Sequence, residues 1–355
     1  MARDQLLRST FLLQAETCDK LGSPFTGTVC RLLAERLDPE TAVGAFVFGW
    51  QGDPGPHADS VPLRLCGALN HLAITGRDGG LVDAYPPAGD GEDSEALWQA
   101  MDGALRAHEP SIRRFMASAP QTNEVRRSAI LLAGWCWLSN HFGMPLVISE
   151  VGASAGLNLF AERYRLEGAG FVRGAPGSPV ALPVKWHGDM PPDAEIHVQQ
   201  RAGCDLAPID ATDAAARNRL LAYVWPDQRD RVERTAAAID VASSRGRTPV
   251  ERADAAVWLE KRLAAPFDNA VHVIQHTIAW QYFPEAVKRR GETLLAEAGA
   301  RADANRPLAR LSLEADGNTP GAAISLTLWP EGRTVALGRG DYHGRWVDWI
   351  NPEIA

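Results

Sequence analysis

The sequence predicts an α/β protein in which an all-α N-terminal domain precedes an open sheet. Up to Phe142, apolar residues recur three and four positions apart, and no segment alternates convincingly between apolar and polar residues. After Pro145, short apolar runs alternate with helical stretches, which is typical of an open α/β sheet. A chain of 355 residues, 45% of them hydrophobic, is long enough for two domains. We therefore expect a helical domain over residues 1–143 and a sheet domain over residues 144–355.

Six main helices are expected in the first domain. The spacing of apolar residues predicts five of them, at residues 5–18, 24–36, 63–74, 94–107 and 111–117. Ser23 directly precedes the second helix, and serine is a preferred N-cap residue. Thr122 or Asn123 is predicted to cap a sixth, apolar helix that passes through Trp135 and ends at Gly143.

Seven strands and five helices are predicted in the second domain. Short apolar runs place the strands at residues 146–151, 196–204, 248–251, 271–276, 308–314, 322–329 and 334–337. Helical spacing places the helices at residues 157–164, 214–224, 229–239, 255–263 and 284–298. Residues 168–187 are rich in Gly and Pro, so we expect an inserted loop or hairpin there.

Composition narrows the possible partners. The chain has 36 basic and 44 acidic side chains, and its net charge of −8 disfavours binding to nucleic acid or an anionic membrane. Its five cysteines form no CxxC pair and are odd in number, so we expect neither a disulfide framework nor a zinc site. No apolar run reaches the roughly 18 residues of a membrane-spanning helix. We expect a cytoplasmic protein with a small-molecule substrate, and its oligomeric state stays open.

Residues 146–162, LVISEVGASAGLNLFAE, combine an apolar strand, an acid, a turn of small residues and the start of a helix. Small residues let the backbone N–H groups of such a turn approach a charged ligand closely. The segment fits a nucleotide-binding turn that includes Glu150, Gly152, Ser154 and Gly156. It also fits the elbow of a serine hydrolase with Ser154 as the nucleophile, or a turn that serves packing alone.

This turn and the strands around it resemble a class I S-adenosylmethionine-dependent methyltransferase, whose first motif is an acid, a variable residue and Gly-x-Gly-x-Gly. Ser154 stands where that motif has its middle glycine. The resemblance spans residues 146–337, the size of one α/β domain. It implies a Rossmann-like sheet whose turn from Glu150 to Gly156 holds the amino-acid end of S-adenosylmethionine. The absence of a predicted helix between strands 308–314 and 322–329 departs from the methyltransferase pattern.

The resemblance also implies roles for two acids that follow predicted strands. Asp205 would bind the ribose hydroxyls through charge-assisted hydrogen bonds. Asp254 would accept a hydrogen bond from the adenine amino group. Each acid also has an ordinary structural interpretation, since Asp commonly stabilises loops and caps helices.

Polar and aromatic side chains follow the strand predicted at residues 271–276, where methyl transfer would occur. His276 could accept a substrate proton near neutral pH. Tyr282 or Trp280 could form an aromatic wall beside the sulfonium. We predict His276 and Tyr282 as catalytic residues; the alternatives are a hydrogen-bonded structural histidine and aromatic rings that pack in the core.

Two other segments are dense in polar side chains. Residues 121–127 either form a solvated helix cap or contribute a wall that faces the substrate. Residues 341–346, Asp-Tyr-His-Gly-Arg-Trp, either bind or transfer protons or form a terminal loop anchored by Trp346 and Trp349.

Nearly the whole chain resembles a bacterial family defined only as a domain of unknown function, at QTNEVRRSA, EVGASAGLNL, GCDLAPID, YVWPDQ, HTIAWQYF and DYHGRW. That resemblance implies no activity. We predict a methyltransferase that uses S-adenosylmethionine and acts on a small molecule. One alternative is an α/β-hydrolase-type esterase in which Ser154 is followed by Asp254 or Asp316 and then by His343. Another is a metabolite-binding protein without catalysis.

Overall fold

The computed structural model describes residues 2–56, 58–244 and 246–353, which form two compact units. The helical unit contains the described residues up to Thr122 together with Asp213–Ala236. The sheet unit contains Asn123–Thr212 and the described residues from Ala237 onward. Each unit is therefore built from two separate stretches of the chain, whereas the sequence predicted a single boundary after residue 143.

Within the described ranges the α-helices are α1 Ala2–Lys20, α2 Pro24–Arg36, α3 Ala42–Phe48, α4 Val61–Ile74, α5 Gly79–Ala84, α6 Ser94–Ala107, α7 Glu109–Met116, α8 Ser128–Phe142, α9 Ala214–Ala222, α10 Arg229–Ser243, α11 Ala255–Arg262 and α12 Glu285–Gly299. Short 3-10 helices lie at Val125–Arg127, Leu157–Arg163 and Trp280–Tyr282.

The strands form two sheets. They are β1 Leu146–Val151, β2 Arg165–Gly168, β3 Phe171–Gly174, β4 Ala181–Pro183, β5 Lys185–Gly188, β6 Val198–Asp205, β7 Val250–Arg252, β8 Val271–Thr277, β9 Leu308–Glu314, β10 Ala322–Trp329, β11 Arg333–Gly340 and β12 Trp346–Trp349. Nine of them form one sheet in the order β5-β12-β11-β10-β9-β8-β1-β6-β7, and the other three pair in the order β3-β2-β4.

The structure confirms the predicted α/β class, with a large, mostly parallel sheet and helices at the N-terminus. β1, β9 and β10 have the bounds that the apolar runs predicted. Several short elements were not predicted individually, namely α3, α5, β12 and the strands β2 to β5, which lie at or beside residues 168–187, where only a loop or hairpin was expected. They contain three to seven residues each, too few for a periodic pattern to stand out.

Five parallel strands form the core of the large sheet. β7, β6, β1, β8 and β9 lie side by side, and every neighbouring pair among them is parallel. All six residues of β1 are buried, as expected for a parallel strand that is covered on both faces. The strand order reverses at β1: β6 and β7, the next strands of this parallel core along the chain, lie on one side of β1, and β8 and β9 lie on the other. In open α/β sheets, ligands bind beyond the carboxyl ends of the strands at such a reversal.

Helix α8 explains why residues 123–143 belong to the sheet unit. Its mean hydropathy is high and it is buried almost all round, a pattern found in helices enclosed by other elements. It packs on one face of the sheet, where Trp135 Nε1 donates to Gln275 Oε1 of β8 at 3.0 Å. The opposite face is covered by α11 and α12, whose Leu259 and Leu295 join a cluster with Ile274.

Ser23 occupies the predicted N-cap position of α2, but its side chain accepts no hydrogen bond from the first turn. Its Oγ instead lies in hydrogen-bond contact with Thr26 Oγ1 and Asp227 Oδ1 within the helical unit. The carboxylate of Asp227 also accepts from Phe25 N at 3.0 Å. Asp227, which is distant in the sequence, therefore accepts a hydrogen bond from a backbone amide at the N-terminus of α2.

Candidate functional site

The turn after β1 requires its glycines. Gly152 and Gly156 both have φ of +72°, and Ser154 between them has φ of +54°. A Cβ on Gly152 would lie 2.6 Å from Cβ of Ala279, and a Cβ on Gly156 would lie 2.6 Å from Cγ2 of Val250. The backbone thus passes close to two neighbouring segments in a conformation that disfavours larger residues.

Most backbone amides of this turn already donate to protein acceptors. The amides of Gly152 and Ala153 donate to the carbonyl of Cys204 at 2.9 and 3.0 Å. The amide of Ser154 donates to Asp205 Oδ2 at 2.9 Å, and that of Gly156 donates to the carbonyl of Ala153 at 2.7 Å. The geometry therefore does not support the expectation that these four amides bind the charged end of a ligand.

Asn123 supports the helix that follows the turn. It was predicted to cap α8, but the 3-10 helix Val125–Arg127 separates it from that helix. Its Oδ1 instead accepts from the amide of Leu157 at 3.0 Å, at the first residue of the 3-10 helix after Gly156. One polar residue of the segment 121–127 is thus part of the glycine turn.

Asp205 and Asp254 both occupy strand ends and both have structural roles. Asp205 ends β6, and its Oδ1 accepts from Ala207 N at 2.9 Å in addition to the bond from Ser154. Asp254 follows β7 and caps α11, since its Oδ1 accepts from Ala256 N at 2.9 Å and from Val257 N at 3.2 Å. The structural roles expected for these acids, in a loop for Asp205 and at a helix N-cap for Asp254, are therefore confirmed. Both carboxylates also lie beside the same cavity.

This cavity has a volume of about 120 Å³ and lies beyond the carboxyl ends of β1, β6 and β7. Gly152, Asp205 and Asp254 line it, together with Leu206 and Phe283. Among the described residues that line it, two are carboxylates and none is basic. The cavity therefore offers apolar surface with a negative charge.

Glu150 lies away from this cavity lining. It is only 2% exposed, and Gln275 Nε2 donates to its Oε2 at 3.3 Å on the sheet face that α8 covers. Gln275 in turn accepts from Trp135. Burial raises the pKa of Glu150 to about 8. Its predicted contact with a cofactor is not supported, because the side chain points into the packed interior.

Both ring nitrogens of His276 are occupied. Nδ1 donates to Glu314 Oε1 at 2.8 Å, and Nε2 accepts from Arg310 Nε at 2.9 Å. The ring is 2% exposed and stacks on Trp280 with 5.0 Å between centroids. Burial lowers the pKa of His276 despite its bond to Glu314. A buried, neutral imidazole whose two nitrogens already have hydrogen-bond partners cannot take up a substrate proton. His276 is therefore a structural histidine and not the predicted catalytic residue.

Tyr282 does not form a cavity wall. Its side chain is 68% exposed at the end of the 3-10 helix Trp280–Tyr282. Trp280 is buried against His276. Phe283, the next residue along the chain, supplies the aromatic surface of the cavity instead. The sequence indicated the right segment. Which of the rings of Trp280, Tyr282 and Phe283 faces the cavity depends on the local backbone conformation.

The catalytic groups of a serine hydrolase are not assembled around Ser154. Its Oγ is buried and has no hydrogen-bond partner among the described residues, so no histidine activates it. Asp254 caps α11, and Asp316 forms a bidentate pair with Arg339 at 2.8 and 3.0 Å. His343 donates its backbone amide to Asp341 Oδ2. The order of residues along the chain suggested a triad that the fold does not build.

The segments 121–127 and 341–346 meet at the same edge of the sheet. Arg127 Nε donates to the carbonyl of Tyr342 at 2.7 Å, and its Nη1 donates to the carbonyl of Thr277 at 3.1 Å. β11, which precedes the second segment, runs parallel to β1 because two antiparallel pairings separate it from β9. Arg127 thus joins the ends of β8 and β11.

The sequence matches one known protein family. A family model described as an uncharacterised protein conserved in bacteria (DUF2332) matches residues 8–349. The chain belongs to this family. The match confirms the family predicted from the sequence segments and covers both units. No curated protein and no solved structure matched the chain.

The described ranges contain neither a candidate membrane span nor a candidate metal centre. No helix there has the length and hydrophobicity needed to cross a bilayer. Within the same ranges, no three or more His, Cys, Asp or Glu side chains are grouped so that they could hold a metal ion.

Sequence reasoning missed three residues that build the site. Glu314 holds the loop after β8, while Leu206 and Phe283 supply apolar surface. Glu314 offered one usable signal, since it is an acid at the end of a predicted strand. Leu206 follows Asp205 directly, and its side chain is 71% exposed at the cavity. From the sequence, the available signal was an apolar residue directly after a strand-end acid.

Proposed function

We propose that this protein binds S-adenosylmethionine in the cavity between β1, β6 and β7 and transfers the methyl group to a small molecule. The observation that carries the proposal is the position and charge of the cavity. It lies where the strand order reverses, and the described residues that line it include Asp205 and Asp254 but no basic side chain.

This charge distinguishes between classes of nucleotide ligand. S-adenosylmethionine carries a cationic sulfonium and an ammonium group, which two nearby carboxylates would attract. A dinucleotide carries a pyrophosphate, which the same carboxylates would repel. Pyrophosphate also needs free amides at the glycine turn, and four of those amides donate to Cys204, Asp205 and Ala153. The cavity therefore favours a cationic nucleoside over a nicotinamide dinucleotide.

Individual contacts follow from the lining. The carboxylate of Asp205 would accept hydrogen bonds from the ribose hydroxyls, and Asp254 would accept from the adenine amino group. Leu206 and Phe283 would pack against the adenine ring and exclude water from it. Methyl transfer requires a nucleophile in line with the carbon–sulfur bond, and alignment supplies much of the rate in such reactions. Because both ring nitrogens of His276 already have hydrogen-bond partners, we assign no proton acceptor within the chain.

Isothermal titration with S-adenosylmethionine tests the proposal. The wild-type protein should bind one equivalent, and Ala253→Phe should abolish binding because its ring fills the cavity. Asp205→Asn keeps an acceptor for Ser154 N but removes the charge, so the Kd should rise about 10- to 100-fold. Asp316→Asn is the matched control, since this strand-end aspartate pairs with Arg339 instead, and its Kd should match the wild type.

Three outcomes separate the alternatives. Binding of a reduced nicotinamide dinucleotide in place of S-adenosylmethionine would contradict the proposal. Labelling by a fluorophosphonate that Ser154→Ala abolishes would restore the hydrolase interpretation. Binding without methyl transfer to any compound in a broad small-molecule screen would indicate a metabolite-binding protein.

A further inference from the structure

Three cysteines lie together in the helical unit, each on a different helix. Cys18 belongs to α1, Cys30 to α2 and Cys66 to α4, and all three are buried free thiols. The Sγ atoms of Cys30 and Cys66 are 3.5 Å apart. A disulfide has a sulfur–sulfur distance of about 2.05 Å, so the two sulfur atoms are close but must move closer together before they can bond.

Cys66 is the thiol of this cluster that borders open space. It lines a cavity of about 20 Å³ within the helical unit, enough room for a guest about the size of one water molecule, whereas Cys30 does not line it. Cys66 is 8% exposed, and Cys18 and Cys30 are each 0% exposed. A small molecule that entered the cavity would therefore meet Cys66 first, with Cys30 directly behind it.

The cavity also holds two polar atoms without a hydrogen-bond partner among the described residues. These are the hydroxyl of Tyr85 and Oδ1 of Asn70, on side chains that are at least nine-tenths buried. Nδ2 of Asn70 donates to the carbonyls of Ala222 and Val224, which fixes its orientation. Buried polar atoms of this kind favour a small guest that both donates and accepts hydrogen bonds. Water and hydrogen peroxide have that property.

We propose that Cys66 is a peroxide-oxidised residue and that Cys30 then closes a disulfide with it. In the first step, Sγ of Cys66 attacks one peroxide oxygen and the O–O bond breaks. The departing hydroxide takes the thiol proton and leaves as water, so that Cys66 becomes a sulfenic acid. In the second step, Sγ of Cys30 attacks Sγ of Cys66 and the S–O bond breaks. The proton of Cys30 leaves with that oxygen as a second water.

Electrons and atoms balance in this sequence. Two thiols supply two electrons, and one hydrogen peroxide accepts them to give two waters. The chemistry uses residues of the helical unit alone and is independent of the proposed methyl transfer.

Cys18 is a neighbour of the reacting pair and not a member of it. Gln14 Nε2 donates to its Sγ at 3.4 Å, and the thiol of Cys30 forms a further hydrogen bond with it. The bond from Cys30 is the main reason that the pKa of Cys18 lies below its usual value. Cys18 would therefore orient the Cys30 thiol, and Cys18→Ser should still allow the bridge to form.

Oxidation of the folded, full-length protein tests the proposal. After treatment with hydrogen peroxide, the remaining thiols are blocked and the peptides are mapped by mass spectrometry. We expect the Cys30 and Cys66 peptides to be joined by a bond that dithiothreitol reverses, while Cys136 and Cys204 stay reduced. In Cys30→Ser, dimedone should capture a sulfenic acid on Cys66. A bridge that includes Cys18, or no bridge until urea unfolds the chain, would overturn the proposal.

Two tyrosine variants test whether the cavity holds the peroxide. Tyr85→Phe removes the unpartnered hydroxyl, so the bridge should form about fivefold more slowly, as expected for the loss of one hydrogen bond. Tyr223→Phe is the matched control, because this tyrosine lines the same cavity but already accepts from Arg219 Nη2 at 3.1 Å. Its rate should equal that of the wild type. Equal slowing in both variants would contradict a role for Tyr85.

Thermal unfolding of each variant shows whether it has folded. If Cys30→Ser fails to fold, the mapped bridge in the wild type and the two tyrosine rates still decide the question.

Discussion

At the scale of single residues, the carboxyl group of Glu150 shows how packing sets charge. It is 2% exposed at the end of β1, and its pKa of about 8 results mainly from burial. The folded protein therefore holds a proton there that the unfolded chain releases above its ordinary pKa of about 4.5. Since the folded state binds more protons, the stability contributed by Glu150 falls as the pH rises from about 4.5 to about 8.

Glu150→Gln should remove this pH dependence. Glutamine has the shape of the protonated acid and stays neutral, so the free energy of unfolding of the variant should decline less between pH 6 and pH 9. We expect the wild type to lose about 3 kcal/mol more than the variant over this range. Urea unfolding at both pH values measures the difference. Glu331→Gln, at an exposed turn, is the control and should follow the wild type; a Glu150→Gln curve parallel to the wild type would refute the argument.

Residue chemistry was only partly predictable. Gly152, Asp205 and Asp254 were each identified from local pattern, and all three line one cavity. The role of His276 was not predictable in this way, because its partners Arg310 and Glu314 come from β9, which follows more than thirty positions later. A strand-end histidine has the same local sequence whether its nitrogens are free or occupied.

At the scale of elements, Glu314 holds the loop that connects β8 to α12. Its carboxylate accepts from the amides of Ala279 and Trp280 at 3.0 Å each, and from Gln281 at 3.3 Å. It also accepts from His276, and these bonds together keep the pKa of Glu314 below its usual value despite burial. The loop leads directly to Phe283, so Glu314 at the end of β9 positions a wall of the cavity.

Glu314→Gln should loosen this loop selectively. A neutral amide is a weaker hydrogen-bond acceptor than a carboxylate. Its NH2 group would also face the N–H groups that now donate to Glu314, so we expect a loss of about 1–3 kcal/mol of stability. Hydrogen exchange at residues 279–281 should accelerate more than in the rest of the sheet. Glu292→Gln is the matched control, because it removes only an exposed ion pair with Arg310 and should cost less than about 1 kcal/mol. Uniform acceleration across the sheet would argue against a local role.

Element prediction succeeded where the physical signal was long and continuous. β9 and β10 have seven and eight residues, and their apolar patterns gave their bounds without the structure. β12 has only four residues, and its pairing with β5 and β11 depends on segments elsewhere in the chain. Short strands of this kind are defined by their partners, which a local pattern does not contain.

At the scale of the whole molecule, the two units interrupt each other along the chain. Residues 213–236 lie between β6 and β7 in sequence but fold with the helical unit, where Ala222 and Tyr223 join its core. Helix α8 precedes the predicted boundary but covers the sheet. The local patterns predicted α8, α9 and α10. The assignment of these helices to units was not predictable, because it depends on distant packing partners.

A fragment of residues 144–355 should therefore fail to fold. It lacks α8, so the apolar face that Gln275 and Leu311 share with that helix would be exposed. It also contains residues 214–224 without the core in which they pack. We expect the fragment to aggregate or to lack a cooperative thermal transition, whereas the full chain shows one or more. A soluble fragment with a sharp transition in circular dichroism would contradict this division.

The pairing of β5 with β12 has a consequence for synthesis on the ribosome. β5 is translated before α9, yet its neighbour in the large sheet is β12, which is translated only after β6 to β11. The backbone groups of β5 therefore stay hydrogen-bonded to water, or covered by a chaperone, until β12 has been synthesised. A ribosome that stalls before Trp346 would release a chain with an unpaired strand at this edge, which is prone to association.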